Sequence, residues 1–189
     1  PFRGRCVGTT RGPMQRALPR VASNGGTAIA MDRFVSTYTM RLDAKGRVSV
    51  PAPYRTILAK DGFEGAYCLP SIESNAIDGG GKMLMEEIDR LIENLPLYSD
   101  GRDEMKTALF GSAELLRLDP EGRVTLSETL KNHAGIADAA VFVGLGQKFQ
   151  IWEPERFRAH LDEAKTRVRE RRRRLGNLDV ASRTTGARE

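Results

Sequence analysis

At 189 residues and a formal net charge of +5, the chain can bury a core and fits one or two domains. It holds no run near the roughly 20 apolar residues that a membrane-spanning helix needs, which sets a membrane partner aside. Its two cysteines, Cys6 and Cys68, stand in no metal-ligand or redox spacing and suit a reducing cytoplasm.

The charge is unevenly spread. Residues 1–31 hold five arginines and no acids, residues 32–155 sum to −6, and residues 156–189 sum to +6. An acidic body must meet nucleic acid through local basic patches, and Arg33, Arg41, Lys45, Arg47 and Arg55 form one in sequence.

In chain order, residues 1–31 carry few large apolar residues and are expected to lack fixed structure. No apolar core of 7–15 residues marks a secretory signal, while an Arg-rich, acid-free stretch would also suit an organellar transit peptide. Residues 34–42 and 47–51 predict a β-hairpin whose loop is Ala44-Lys45-Gly46. Asp43 opens a type I turn and Gly46 supplies the left-handed residue that such a loop requires. That register sets Asp43 opposite Arg47, Leu42 opposite Val48 and Arg41 opposite Ser49. Met40, Leu42, Val48 and Val50 then share an apolar face, and Arg41, Asp43, Arg47 and Ser49 share the other.

Pro51 and Pro53 open a short helix, Tyr54 to about Lys60. Residues 62–69 predict a strand, and the glycine-rich residues 75–81 a loop without the Lys-Ser/Thr of a phosphate-binding loop. Met83–Leu95 has helical spacing in Ile88, Leu91, Ile92 and Leu95, and Pro96 ends it; with Met83 this surface is most simply core, or in part a face toward a neighbouring subunit. A second helix is expected over Asp103–Ser112.

The hairpin phrase then returns. Arg41-Leu-Asp-Ala-Lys-Gly-Arg-Val-Ser-Val50 recurs 76 residues on as Arg117-Leu-Asp-Pro-Glu-Gly-Arg-Val-Thr-Leu126. A repeat of this kind means two copies of one supersecondary unit. The second loop is Pro120-Glu121-Gly122, with Leu118 and Val124 inward and Arg117, Asp119, Arg123 and Thr125 outward. Strands over Ala140–Val143 and Phe149–Trp152 complete the second unit. A last helix, Glu155–Leu175, places Phe157, Leu161, Ala164, Val168 and Leu175 on one face. Its Arg171–Arg174 run reads as a solvated helix end or as a nonspecific phosphate contact.

The Asp and Gly of each turn, with a cross-strand Asp–Arg pair, are explained by turn formation alone. The further arginines at 41 and 117 are not, and an arginine-bearing two-stranded ribbon can enter the DNA major groove. The Leu-Asp-x-x-Gly-Arg-Val-x-[hydrophobic]-Pro pattern resembles the swapped-hairpin domains of the AbrB/SpoVT superfamily. Two such units in one chain resemble the MraZ family. Three further segments carry the likeness: Pro51–Leu58, Thr129–Ile136 and Val143–Trp152, so that it covers about residues 32–175.

The resemblance implies an α+β fold: a pseudo-two-fold swapped-hairpin β-barrel built from two AbrB-like repeats, with connecting helices and a C-terminal helix. The expected divisions are an extension (1–31), repeat one (32–82), a helical connector (83–113), repeat two (114–157), the C-terminal helix (158–176) and a disordered tail (177–189). Family chains begin near Met31, which would make 1–31 an upstream extension. The implied function is a sequence-specific repressor of its own division and cell-wall gene cluster promoter, cytoplasmic and nucleoid-associated. Its partners would be double-stranded promoter DNA with repeated boxes and a ring-like homo-oligomer.

The expected DNA-binding residues are Arg41, Lys45, Arg47, Arg117 and Arg123. Asp43, Gly46, Asp119 and Gly122 would hold the turns, and Arg33 and Arg55 are candidate phosphate contacts. No cofactor or metal is expected. Repeat one gives Arg41, Asp43, Lys45 and Arg47 a sum of +2, whereas Glu121 brings its counterpart to zero, so the first hairpin should dominate. The other reading is an oligomeric scaffold or antitoxin-like protein-interaction module. An enzyme finds no support: His133 and His160 lack metal-ligand spacing, and Gly144-Leu-Gly146 precedes a strand rather than a helix.

Overall fold

Alternation decides the first strand. In β1 (Thr37–Arg41) Tyr38 and Met40 turn inward while Thr37, Thr39 and Arg41 face solvent. The structure, a computed structural model, describes residues 33–62, 65–97 and 99–185, with side chains as far as Arg173. The expected extension 1–31 and residues 186–189 of the expected tail lie outside the described residues.

After the turn, β2 (Arg47–Ser49) leads through Pro51 into α1 (Ala52–Ala59), where two prolines flank a start that needs no amide donor. Strands β3 (Gly65–Pro70) and β4 (Ile77–Gly80) follow. Then come α2 (Lys82–Glu93) and α3 (Asp100–Leu109). The second unit repeats the first as β5 (Glu114–Arg117), β6 (Arg123–Thr125), α4 (Glu128–Ala134), β7 (Ala139–Gly144) and β8 (Phe149–Trp152). In α4 the Ser127 hydroxyl accepts from Leu130 N–H at 3.2 Å, and Gly135 at φ +71° closes the helix.

The sheet order is β1-β7-β8-β4-β3-β5, all antiparallel, and β2 and β6 form a separate two-stranded ribbon. Exchanging the strands of the two units reverses this order without altering it, so the sheet has a pseudo-two-fold axis between β8 and β4. Each edge strand pairs with the other unit: Arg41 faces Ala139 and Arg117 faces Gly65. The expected barrel is therefore corrected to an open sheet with a ribbon beside it. The two arms of the first hairpin stay together only as far as the Leu42–Val48 bridge. Beyond it they part, because Val48 pairs with Val124, and the ribbon leaves β1 and β5 as unjoined edges.

The core lies where α1 and α4 cover the strands. Tyr54, Leu58, Leu130, Phe142, Phe149 and Ile151 are shut from solvent, each such burial contributing about 1.5–3 kcal/mol. The Tyr54 ring meets Phe34 edge-on at 5.1 Å, and its hydroxyl donates to Ser36 O at 2.8 Å. Burial, and secondarily Tyr38, pushes its phenol pKa well up. A second cluster joins Leu84, Ile88 and Ile92 of α2 to Leu69 and Leu109.

Three expectations are corrected. The glycine-rich 75–81 loop contains β4, because glycine permits close packing there. A Cβ on Gly79 would stand 2.6 Å from Phe149 Cζ, and one on Gly80 2.8 Å from Leu84 Cβ. The helical stripe of α2 is only half core: Ile88 and Ile92 are buried, whereas Met83 and Leu91 are exposed. Finally α5 runs Pro154–Thr185, past the expected end at 176, and only Gly176 interrupts an otherwise proline-free stretch. Phe157 packs near Trp152, yet Leu161 and Val168 of the expected apolar face are exposed.

Candidate nucleic-acid interface

Each repeated phrase folds into one turn built around an aspartate. In the first, Gly46 N–H donates to Asp43 O at 2.9 Å and Asp43 N–H to Arg47 O at 2.9 Å. Asp43 Oδ1 accepts from the amides of Lys45 (2.9 Å) and Arg47 (3.0 Å). Its Oδ2 accepts from Arg47 Nε at 2.7 Å and lies 2.7 Å from Nη2. The second turn repeats this: Asp119 Oδ1 accepts from the amides of Glu121 (3.0 Å) and Arg123 (2.8 Å), and Oδ2 from Arg123 Nε at 2.8 Å. Gly46 (φ +72°) and Gly122 (φ +76°) occupy the left-handed position that closes each loop.

These contacts favour the ionised carboxylates. The backbone amide of Arg47 is the largest influence holding Asp43 below the usual carboxylate range, and that of Arg123 does the same for Asp119. Asp119 in turn raises the pKa of Arg123. Two negative charges are thus fixed in position, and each orients one guanidinium.

The antiparallel β2–β6 ladder pairs Arg47 with Thr125 and Ser49 with Arg123, so the two turns lie at opposite ends of one short ribbon, with Arg47 Nη1 4.0 Å from Asp119 Oδ2. Arg41 and Arg117 are exposed at the ends of the edge strands that feed the turns. Lys45 and Glu121 are exposed at matching places. The halves differ in charge: Nε and Nη2 of both guanidinia meet carboxylates, but Arg47 meets Asp43 at both, whereas Arg123 meets Asp119 at Nε and a second acid, Glu121, at Nη2. Lys45 offers no such acceptor to Arg47.

Seven residues expected at the site, and two that sequence order misplaces, can now be located. Arg41, Asp43, Lys45, Arg47, Arg117, Asp119 and Arg123 converge around the ribbon. Arg55 belongs to the second turn, since a Cβ on Gly122 would stand 2.7 Å from its Cζ. Arg33 sits at the opposite end of β1, its neighbour Phe34 bridging Gly146 of the β7–β8 turn. One residue was missed: Lys131, whose Nζ would lie 3.3 Å from a Cβ on Gly46. The 76-residue shift that pairs the hairpins also pairs Arg55 with Lys131 and was the signal for it.

Other reactive side chains lie apart from this ribbon. Cys68 is buried, and burial pushes its thiol up to about 12. His133 Nε2 is 3.3 Å from Ser74 O, and His160 lies over Trp152 with ring centres 4.6 Å apart. Among the described residues no group of three or more His, Cys, Asp or Glu side chains is placed to hold a metal, and no helix is long and apolar enough to cross a membrane.

Known proteins match this chain over most of its length. Residues 109–177 fit a family described as "MraZ protein, putative antitoxin-like". A relative from Xanthobacter autotrophicus is 62% identical over 157 residues, covering 83% of this chain and all of that protein. One from Azorhizobium caulinodans is 65% identical over 147 residues, covering 78% and 94%. One from Rickettsia akari is 44% identical over 149 residues, covering 79% and all of it. All three carry the name transcriptional regulator MraZ.

Proposed function

The chain belongs to the MraZ family, and from that premise we propose that it is a transcriptional regulator that binds double-stranded DNA sequence-specifically through its two arginine-bearing turns. The observation carrying this reading is the pair of matching Asp-x-x-x-Arg turns at the two ends of one short ribbon, with their arginines half-buried. Arg47 is the leading base reader, because a guanidinium fork matches guanine O6 and N7. Arg41, Lys45, Arg117 and Arg123 supply the remaining base and phosphate contacts. Asp43, Gly46, Asp119 and Gly122 hold the turns, since a carboxylate aimed at phosphate would repel it. Arg55 adds a phosphate contact beside the second turn, and Arg33 would meet DNA only beyond the ribbon's footprint.

The exchange of β1 and β5 between units supports a swapped-hairpin pairing of two AbrB-like halves. The target proposed is the promoter of the chain's own division and cell-wall gene cluster, repressed in the cytoplasm at the nucleoid. A single ribbon touches few phosphates, so a ring-like homo-oligomer engaging repeated boxes would raise effective concentration. Exposed Met83 and Leu91 on α2 offer apolar surface for such assembly.

A footprint of the purified full chain on its own upstream DNA tests the reading. Protection of regularly spaced repeats, lost as salt rises, is expected. Uniform protection, or none, would reject it.

The second reading, a protein-interaction module, draws on a cavity of about 310 Å³ lined by Leu69, Ile72, Leu84, Leu91 and Met105. Promoter-specific binding with a steep salt dependence separates the two, because a scaffold shows neither.

A further inference from the structure

Each turn is covered by a cation from the helix of the opposite half. Arg55 lies on α1 and Lys131 on α4, at corresponding places in the two units. The ribbon forces the crossing. Val50 N–H donates to Gly122 O at 3.0 Å and Leu126 N–H to Gly46 O at 3.2 Å, tying the chain that enters each helix to the other half's loop. Arg55 therefore lies against Gly122 of the second turn, and Lys131 against Gly46 of the first.

Neither cation is spent in the core. The Lys131 side chain is 18% exposed and its partner Glu128, 2.6 Å away, is 79% exposed. The ammonium is thus held at the turn while the carboxylate stands out in solvent, where the pairing is weak. Arg55 Nε is buried without a hydrogen-bond partner among the described residues, and no carboxylate among them pairs with its guanidinium. Packing over the turn holds it.

We infer that Lys131 is a phosphate contact of the first turn and Arg55 of the second, so that each DNA-binding surface is assembled from both halves of the chain. This rests on the DNA-binding reading above and goes beyond it in assigning Lys131 a role and in making the crossing of the helical cations reciprocal. Lys131 at Gly46 gives the turn that carries Lys45 a second ammonium group. Arg55 restores to the second turn a positive charge that Glu121 removes.

The test is fluorescence anisotropy of the full chain on a duplex carrying its own upstream DNA, titrated at several salt concentrations. Lys131→Gln is expected to weaken binding about 3- to 10-fold and to lower the slope of log affinity against log salt by about one, the mark of one lost phosphate contact. Lys131→Arg should keep the slope. Glu128→Gln, which frees the ammonium, should tighten binding, whereas loss of a purely structural ion pair would leave it unchanged or weaker. Combined variants locate the contact. Lys131→Gln should couple with Arg47→Ala and be additive with Arg123→Ala, and Arg55→Gln should do the reverse.

An unchanged salt slope for Lys131→Gln, or coupling to the arginine of its own half, overturns the inference while leaving DNA binding intact. A wild-type chain that shows no salt-sensitive, promoter-specific binding overturns the DNA reading and this inference with it.

Discussion

The two turns are near copies that differ in what surrounds the arginine. Arg47 donates Nε to Asp43, its Nη2 lies against the same carboxylate, and the exposed residue of its loop is Lys45. Arg123 donates Nε to Asp119 and Nη2 to Glu121. The geometry of the turn is therefore independent of how many acids surround its arginine. Aspartate and glycine fix the loop in both, and one residue, Lys45 or Glu121, decides how much positive potential that loop presents. The crossed cations narrow the contrast. Lys131 with Glu128 leaves the first group at +2, while Arg55 brings the second from zero to +1.

The largest expected effect separates the turns directly. Arg47→Ala should weaken specific DNA binding by about 1–3 kcal/mol, roughly 5- to 150-fold, and by more than Arg123→Ala in a mobility-shift titration. The opposite order would sink the asymmetry. Next comes backbone strain. Gly122→Ala and Gly46→Ala both force a side chain into the left-handed region, at about 1–2 kcal/mol. Only at Gly122 must a guanidinium also move, so its denaturant midpoint should fall further; equal losses would show that Arg55 is not held there.

A smaller gain tests charge alone. Glu121→Lys should release Arg123 and tighten binding several-fold, and Lys45→Glu should weaken it; if neither moves affinity, potential at this position is irrelevant. The least effect concerns what the turns share. Both aspartates have depressed folded pKa values, so their stabilisation is fully present above the ordinary value of 3.8 and is lost as pH falls through the lower folded value. Asp43→Asn and Asp119→Asn should each flatten the stability profile in that acid window to a similar degree. A strong inequality in denaturant midpoints across a pH series would mean that the turns differ in construction as well as in charge.

The turns were legible in the sequence because their chemistry is local. Asp43, Gly46 and Arg47 interact within a few residues, as do Asp119, Gly122 and Arg123, and the inward and outward faces follow from strand alternation. Pairing partners were not legible. Nothing adjacent to Val48 announces Val124, and so the hairpin arms were expected to remain together and the sheet to close. The same limit misplaced Arg55, which neighbours the first motif in sequence and the second in space. Residues 77–80 looked like a loop because glycine usually weakens a strand; here Phe149 and Leu84 occupy the volume that side chains would have needed. The short α4 is not legible because its seven residues, about two turns, carry little periodicity, although Ser127 and Gly135 cap both ends.

The exchange of edge strands also sets a timetable. Strand β1 leaves the ribosome early, yet its partner β7 is made about 100 residues later, which at about 5–20 residues per second is roughly 5–20 s of synthesis. Until then its backbone donors and acceptors are a bare edge able to recruit a strand from another nascent chain. A cell making this protein on crowded polysomes must keep neighbouring copies of the first half apart until the second half arrives to claim it.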